Sequence, residues 1–179
     1  MATALDVAAY ITATHGVQGK VRLQKLCYLA QGWHLAWQGR PLFDDPLEAW
    51  VHGPVSKAVW RSTTYGEGNG EPASLSPREK EVIDSVADFY KHFSVDDLVE
   101  YSHNDAWRAA RGDLGPKDRG NQTLSNTDIY RSFAKRVLLG CEAPKKPRVI
   151  KRLDGRSFAE SMVRVDEEHR EILNLLATV

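Results

Sequence analysis

Between Lys20 and Trp37, the residues Leu23, Leu26, Cys27, Ala30, Trp33, His34 and Trp37 recur at intervals of three and four. That spacing lays all seven along one side of an α-helix. Gly39 stands just beyond them, where a left-handed residue would close the helix. A helix with so wide an apolar side is not stable alone in water and must be covered by other elements. The stretch therefore commits the chain to helix-on-helix packing. It also raises a question: do the cysteine and histidine inside it serve chemistry or packing?

The rest of the chain supplies candidate covers. Leu5, Ala8, Ala9 and Thr12 give a short helical stripe, closed by Gly16 and Gly19. "RPLFDDPLEAWVHG" carries two prolines and an alternating LEAWV, which predicts an irregular loop leading into one short strand. Gly53 followed by Pro54 predicts a helix from Pro54 to about Thr64, ending in the loop "YGEGNGEPAS". "SPRE" at Ser76 to Glu79 is a capping box. Behind it Val82, Val86, Phe89 and Phe93, flanked by Ile83 and Tyr90, form an amphipathic helix. "SVDD" at Ser94 opens a short helix through Tyr101, and Asn104 to Arg111 adds a further turn or two. "SNTD" at Ser125 caps a helix to about Leu139, with Ile129, Phe133 and Val137 on one side.

The composition then shifts. "EAPKKPRVIKR", Glu142 to Arg152, combines two prolines with five basic residues and reads as a tether. Beyond it Phe158, Met162, Val165, His169, Ile172 and Leu176 are spaced 4, 3, 4, 3, 4, a heptad seam on a charged helix. The expected organisation is a compact helical domain at 1–140, a basic linker at 141–156 and an amphipathic helix at 157–179. With one small β element, the class is mainly α.

Bulk properties narrow the function. Lys plus Arg (24) equals Asp plus Glu (24), which removes any whole-protein attraction to nucleic acid or anionic lipid. The local basic patch "KKPRVIKR" reads as a solvated tether, and nucleic acid is not an expected partner. Cys27 and Cys141 are the only cysteines, with no CxxC or Cys/His metal spacing, as suits reduced cytosolic thiols. The N-terminal "MATALDVAAYITATHG" lacks a basic n-region, and no apolar run approaches the roughly 18 residues that span a membrane. A soluble cytoplasmic protein without a membrane segment is expected.

Catalytic readings find little support. Cys27 with His34 on the same helix would make a nucleophile and base for a hydrolase. Yet Cys27 sits among leucines, where burial raises a thiol's pKa and makes it inert. His34 also lies on the apolar side. Asp44, Asp45 and Glu48 could hold a metal or form an acid/base pair, but "DDP" in a proline-bounded loop is also ordinary turn and capping chemistry. No HExxH, Walker loop, GxGxxG or GxSxG is present. "GEGNG" at Gly66 to Gly70 follows no predicted strand and reads as a mobile loop. No cofactor, metal or catalytic residue is expected, and a hydrolase using Cys27/His34 or the Asp44/Asp45/Glu48 carboxylates stays as the alternative.

Aromatic area remains. The chain has five tryptophans, and Trp33, Trp37, Trp50 and Trp60 crowd together with Arg40, His52 and Arg61. Trp and Arg are enriched where protein partners are gripped, although some of these rings must form the core. The residues expected at a partner surface are therefore Trp33, Trp37, Arg40, Trp50, His52 and Trp60. Phe158, Met162, Val165, Ile172 and Leu176 of the terminal seam join them.

The string "LQKLCYLAQGWHLAWQGRPLFDDPLEAWVHGPV" and the later "SHNDAWRAAR" resemble the Panacea domain, the SocA-like or GepA-like antitoxin family. Weaker similarity runs from about Leu5 to Leu139, and the tail is not covered. The resemblance implies a non-enzymatic antitoxin of a toxin–antitoxin system that neutralises a cognate small protein toxin by direct binding. It further implies, for part of the family, a proteolytic adaptor handing the toxin to an ATP-dependent protease such as a Clp unfoldase. Inhibition of a host defence protein by a phage or mobile element is the alternative. No helix-turn-helix precedes the matching region, so autorepression through DNA is not expected. The resemblance carries over no toxin-contact residue.

Overall fold

The structure, a computed structural model, describes residues 2–148. The seam from Phe158 to Leu176, with the second half of the linker before it, lies outside the described residues. Among those described are seven α-helices: α1 Ala4–His15, α2 Lys20–Gln38, α3 Lys57–Tyr65, α4 Pro77–Tyr90, α5 Val95–Ser102, α6 Asp105–Arg111 and α7 Asn126–Leu138. A single ribbon, β1 Leu47–Trp50 and β2 Gly53–Ser56, interrupts them. The class is mainly α with a small β element, as the sequence implied. A compact unit extends to Pro147.

Helix α2 is the axis of that unit. It packs against α1, α3, α4, α5, α7 and β2, and every residue from Leu23 to Leu35 is buried. The periodicity found one apolar side; the fold covers all sides. Three polar residues make this possible by bonding backbone groups of β2 and of the loop at Leu42 and Phe43. Gln24 Nε2 donates to the Ser56 carbonyl at 3.1 Å, while Ser56 N–H donates back to Gln24 Oε1 at 3.0 Å. Gln31 Oε1 accepts from Leu42 N–H (2.8 Å) and Phe43 N–H (3.2 Å), and its Nε2 donates to the Phe43 carbonyl (3.0 Å). Lys25 Nζ donates to the Pro54 carbonyl at 3.0 Å. Each bond removes the penalty of an unpaired buried polar group, about 1–3 kcal/mol. Together they lock the ribbon and its approach loop onto α2.

Several local expectations need correction. Pro54 does not begin a helix: Gly53–Ser56 is a strand paired antiparallel with Leu47–Trp50, and α3 starts after Ser56, whose side chain accepts from Val59 N–H. Sequence reading missed that "HGPV" closes a hairpin. Neither Val51 nor His52 has positive φ, so Gly53, at φ 93°, supplies the left-handed residue after the reversal. On α1 the inward residues are Ala4, Val7, Ala8 and Ile11, while Thr12 is exposed. On α7 Val137 is exposed. The Gly66–Gly70 loop is anchored at its far end, where Asp6 accepts the Glu71 N–H at 2.6 Å and Gly70 lies against the Leu5 backbone.

Other signals hold. Ser76 forms the expected capping box, and Thr3 and Ser94 form two more. Asp45 Oδ2 accepts the Ala4 N–H at 2.8 Å, which satisfies an orphan donor of α1. After α7 the chain stays on the body for a few residues: Pro144 is buried, and Ser85 Oγ donates to the Lys145 carbonyl at 2.6 Å.

Candidate functional site: a tryptophan-lined basic groove

The crowd of tryptophans divides in two. Trp33 is fully enclosed, its indole N–H donating to Tyr90 Oη at 3.1 Å and its ring meeting Phe133 edge-on. A partner cannot reach it in this fold, so Trp33 is corrected to a core residue. Trp37 leans on it at 5.4 Å and is half-buried. Arg40 is exposed and lies 3.7 Å from Glu79 at the start of α4.

Trp50 and Trp60 lie elsewhere. Trp50 ends β1 and Trp60 rides on α3, with ring centroids 5.7 Å apart at 59°. Tyr65 abuts Trp60 at 83° and is largely exposed. These two tryptophans line a groove of about 1000 Å³. One wall is the N-terminal half of α2, another the ribbon with α3, and a third the loop at Lys117–Asn121. The structure therefore brings Trp50, His52 and Trp60 together, and leaves Trp33, Trp37 and Arg40 outside their group.

The groove is basic. Lys20, Lys25, Lys57, Lys117 and Arg119 line it, against the single carboxylate of Glu48. That carboxylate is committed: Glu48 Oε1 lies 2.7 Å from Lys57 Nζ, and Oε2 accepts the Trp50 indole N–H at 2.9 Å. Lys25 is almost wholly buried, and desolvation draws its amine down to about 7. No carboxylate among the described residues pairs with it. Arg111 is buried too and is held by carbonyls alone, those of Ala49, Gly115 and Asp118. In that position it fastens the third wall to β1, helped by Ala49 N–H donating to the Gln122 carbonyl at 2.8 Å.

The motif "SHNDAW" packs behind the ribbon. His103 stacks on Trp107 at 3.8 Å, and the Trp107 indole N–H donates to the Trp50 carbonyl at 2.9 Å. Burial and then the nearby Lys25 lower the His103 pKa to about 4. Asn104 Oδ1 accepts from Tyr28 Oη at 2.9 Å and caps α6. Sequence reading missed Lys25, His103, Arg111 and the 117–121 loop. The signal for Lys25 was a lysine between Gln24 and Leu26 in a helix too apolar around it to leave any side in water.

The catalytic candidates are dispersed. Cys27 is fully buried and its thiol is pushed up to about 12 by desolvation. His34 is buried, with Nδ1 2.9 Å from the Arg40 carbonyl and its pKa lowered by burial. Asp45 caps α1, Glu48 serves the groove wall and Asp44 is exposed. No cluster of three metal-ligating side chains occurs among the described residues. Among them, no helix is long and apolar enough to cross a membrane.

The described residues thus form a mainly helical domain built around one buried helix, with an aromatic and cationic groove on one side. Residues 23–108 match the family model described as antitoxin SocA-like, Panacea domain. The matched span runs from the first buried leucine of α2 into α6, and so holds the ribbon, Trp50, Trp60 and "SHNDAW". Over these residues the resemblance to the Panacea domain is shown. No curated protein and no solved structure matches the chain. The family description supports a general antitoxin role and implies a protein partner.

Proposed function

We propose that this protein is the antitoxin of a toxin–antitoxin pair, that it neutralises a cognate small protein toxin by direct binding, and that the toxin docks in the groove at Trp50 and Trp60. One observation supports the site most: within the span that matches an antitoxin domain, Trp50 and Trp60 remain partly open to solvent and line the same large groove, with exposed Tyr65 against Trp60. Trp, Tyr and Arg are the residues most enriched in protein-binding hot spots, and Trp50, Trp60 and Arg119 share this groove. Burial of Cys27 and His34, and the structural bonds of Asp45 and Glu48, leave the hydrolase alternative without an assembled site among the described residues.

The test is co-expression with the product of the adjacent reading frame. A toxin that arrests growth alone and is tolerated with this protein supports the proposal. Absence of rescue by the intact chain removes it. Hand-over to an ATP-dependent protease would show in the same cells as a fall in toxin abundance, whereas simple sequestration leaves the amount unchanged.

A further inference from the structure

We infer that the groove receives an acidic segment of the protein partner, a stretch of Asp and Glu residues interrupted by apolar side chains that pack on Trp50 and Trp60. The inference rests on the antitoxin reading for the identity of the partner, but its charge argument is independent of that reading. The chain as a whole is neutral, with 24 basic and 24 acidic residues. The groove nevertheless gathers five Lys and Arg side chains against one carboxylate, and that carboxylate is paired with Lys57 and accepts the Trp50 indole N–H. The excess is therefore a matter of placement.

Three of these cations are available. No carboxylate among the described residues pairs with Lys20, Lys117 or Arg119. All three are exposed, and they sit on two opposing walls. Beneath them Lys25 is buried with the Pro54 carbonyl as its only hydrogen-bond acceptor among the described residues. A buried cation without a counter-charge is costly, and an incoming carboxylate lowers that cost at the same time as it meets the rim. Lys25 responds further: its amine titrates near neutrality, and a nearby anion favours its charged form.

The aromatic geometry selects a peptide over a nucleic acid. Single strands bind on open ring faces that take successive bases. Here Trp50 and Trp60 meet at 59° and Tyr65 closes on Trp60 at 83°. Rings tilted in this way form an apolar notch fit for an aliphatic or aromatic side chain.

The experiment is a selection of short randomised peptides on the immobilised full chain. The best binders are then synthesised and titrated at low and moderate salt. Enrichment of acidic peptides bearing an apolar residue is expected. Their affinity should fall by roughly tenfold or more in Lys117→Glu/Arg119→Glu, and change little in Lys91→Glu, an exposed charge outside the groove. Trp60→Ala should weaken the same peptides without abolishing their charge preference. Selection without acidic bias, or affinity untouched by the double reversal, overturns the inference. Competition by an oligothymidylate at equal affinity also overturns it, in favour of nucleic acid. Failure of the antitoxin reading is seen separately, as absence of toxin rescue by the intact chain; peptide selectivity does not depend on it.

Discussion

A β-carbon placed on Gly32 would lie 2.2 Å from the ring of Phe133. Helices α2 and α7 therefore touch through a glycine, and Phe133 fills the space that any other residue would occupy, edge-on to both Tyr28 and Trp33. A glycine in mid-helix costs about 1 kcal/mol relative to alanine; this contact offsets it. Gly32→Ala should reverse the usual gain. Overpacking of this kind costs typically 1–3 kcal/mol, and chemical denaturation should show a lower midpoint with unchanged slope. A more stable alanine variant would mean that the ring is not fixed there.

Lys25 should make stability rise with pH above neutrality. Its pKa is lowered from 10.5 to about 7 in the fold. Between those values the unfolded chain binds more protons than the native one, so the slope of unfolding free energy with pH is positive. Cys27 and Tyr28 pull the other way only above their ordinary pKa values near 9 and 10, because burial raises both. The usable window is pH 7 to 9. Across it the stability of Lys25→Met relative to the native chain should fall by about 2 kcal/mol. A difference independent of pH would show that Lys25 stays charged.

On the acid side His103 and His34 act in the opposite window. Both have pKa values lowered by burial, that of His103 to about 4. The unfolded chain takes up their protons first, so stability is held above about pH 6.5 and lost progressively towards pH 4. His103→Phe, which keeps a ring against Trp107, should flatten part of this acid limb in thermal melts across pH 4 to 7. An unaltered limb would assign the loss to other groups.

How much of this was legible beforehand follows from what each feature depends on. Capping boxes and apolar periods are local, so the ends of α4 and α5 and the core role of Leu26, Cys27 and Ala30 were readable. The strand at Gly53–Ser56 was not, because a Gly-Pro pair has the same local grammar as a helix start. Only the bonds from Gln24 and Lys25, some 30 positions earlier, decide the issue. The groove fared likewise. Trp50, His52 and Trp60 were expected at a partner surface, whereas the wall at Lys117–Asn121 reaches them through Arg111, a contact that no spacing encodes. Trp33 was misplaced because a tryptophan's burial depends on what crosses its helix, here Phe133 and Tyr90.

Cys27→Ser should leave any binding function intact. The thiol is a packing group, and its replacement by a buried hydroxyl should cost about 1–3 kcal/mol. A variant that folds normally but loses all function would restore Cys27 as a reactive residue.

The terminal seam supplies a further test. The compact unit ends at Pro147, so a chain truncated after it should keep its cooperative melt. With the seam residues as part of the partner surface, as expected from the sequence, the truncated chain should neutralise toxin less well. Equal neutralisation would deny the seam residues Phe158, Met162, Val165, Ile172 and Leu176 a partner role.

Stoichiometric binding of a toxin at Trp50 and Trp60 can be measured by titrating purified toxin with this protein in the absence of any protease. Neutralisation should be complete near one equivalent, and Trp60→Ala, with its fold intact, should weaken it by roughly 30-fold, as for a hot-spot side chain. Full neutralisation at a small fraction of an equivalent, or a titration that Trp60→Ala leaves unchanged, would contradict it.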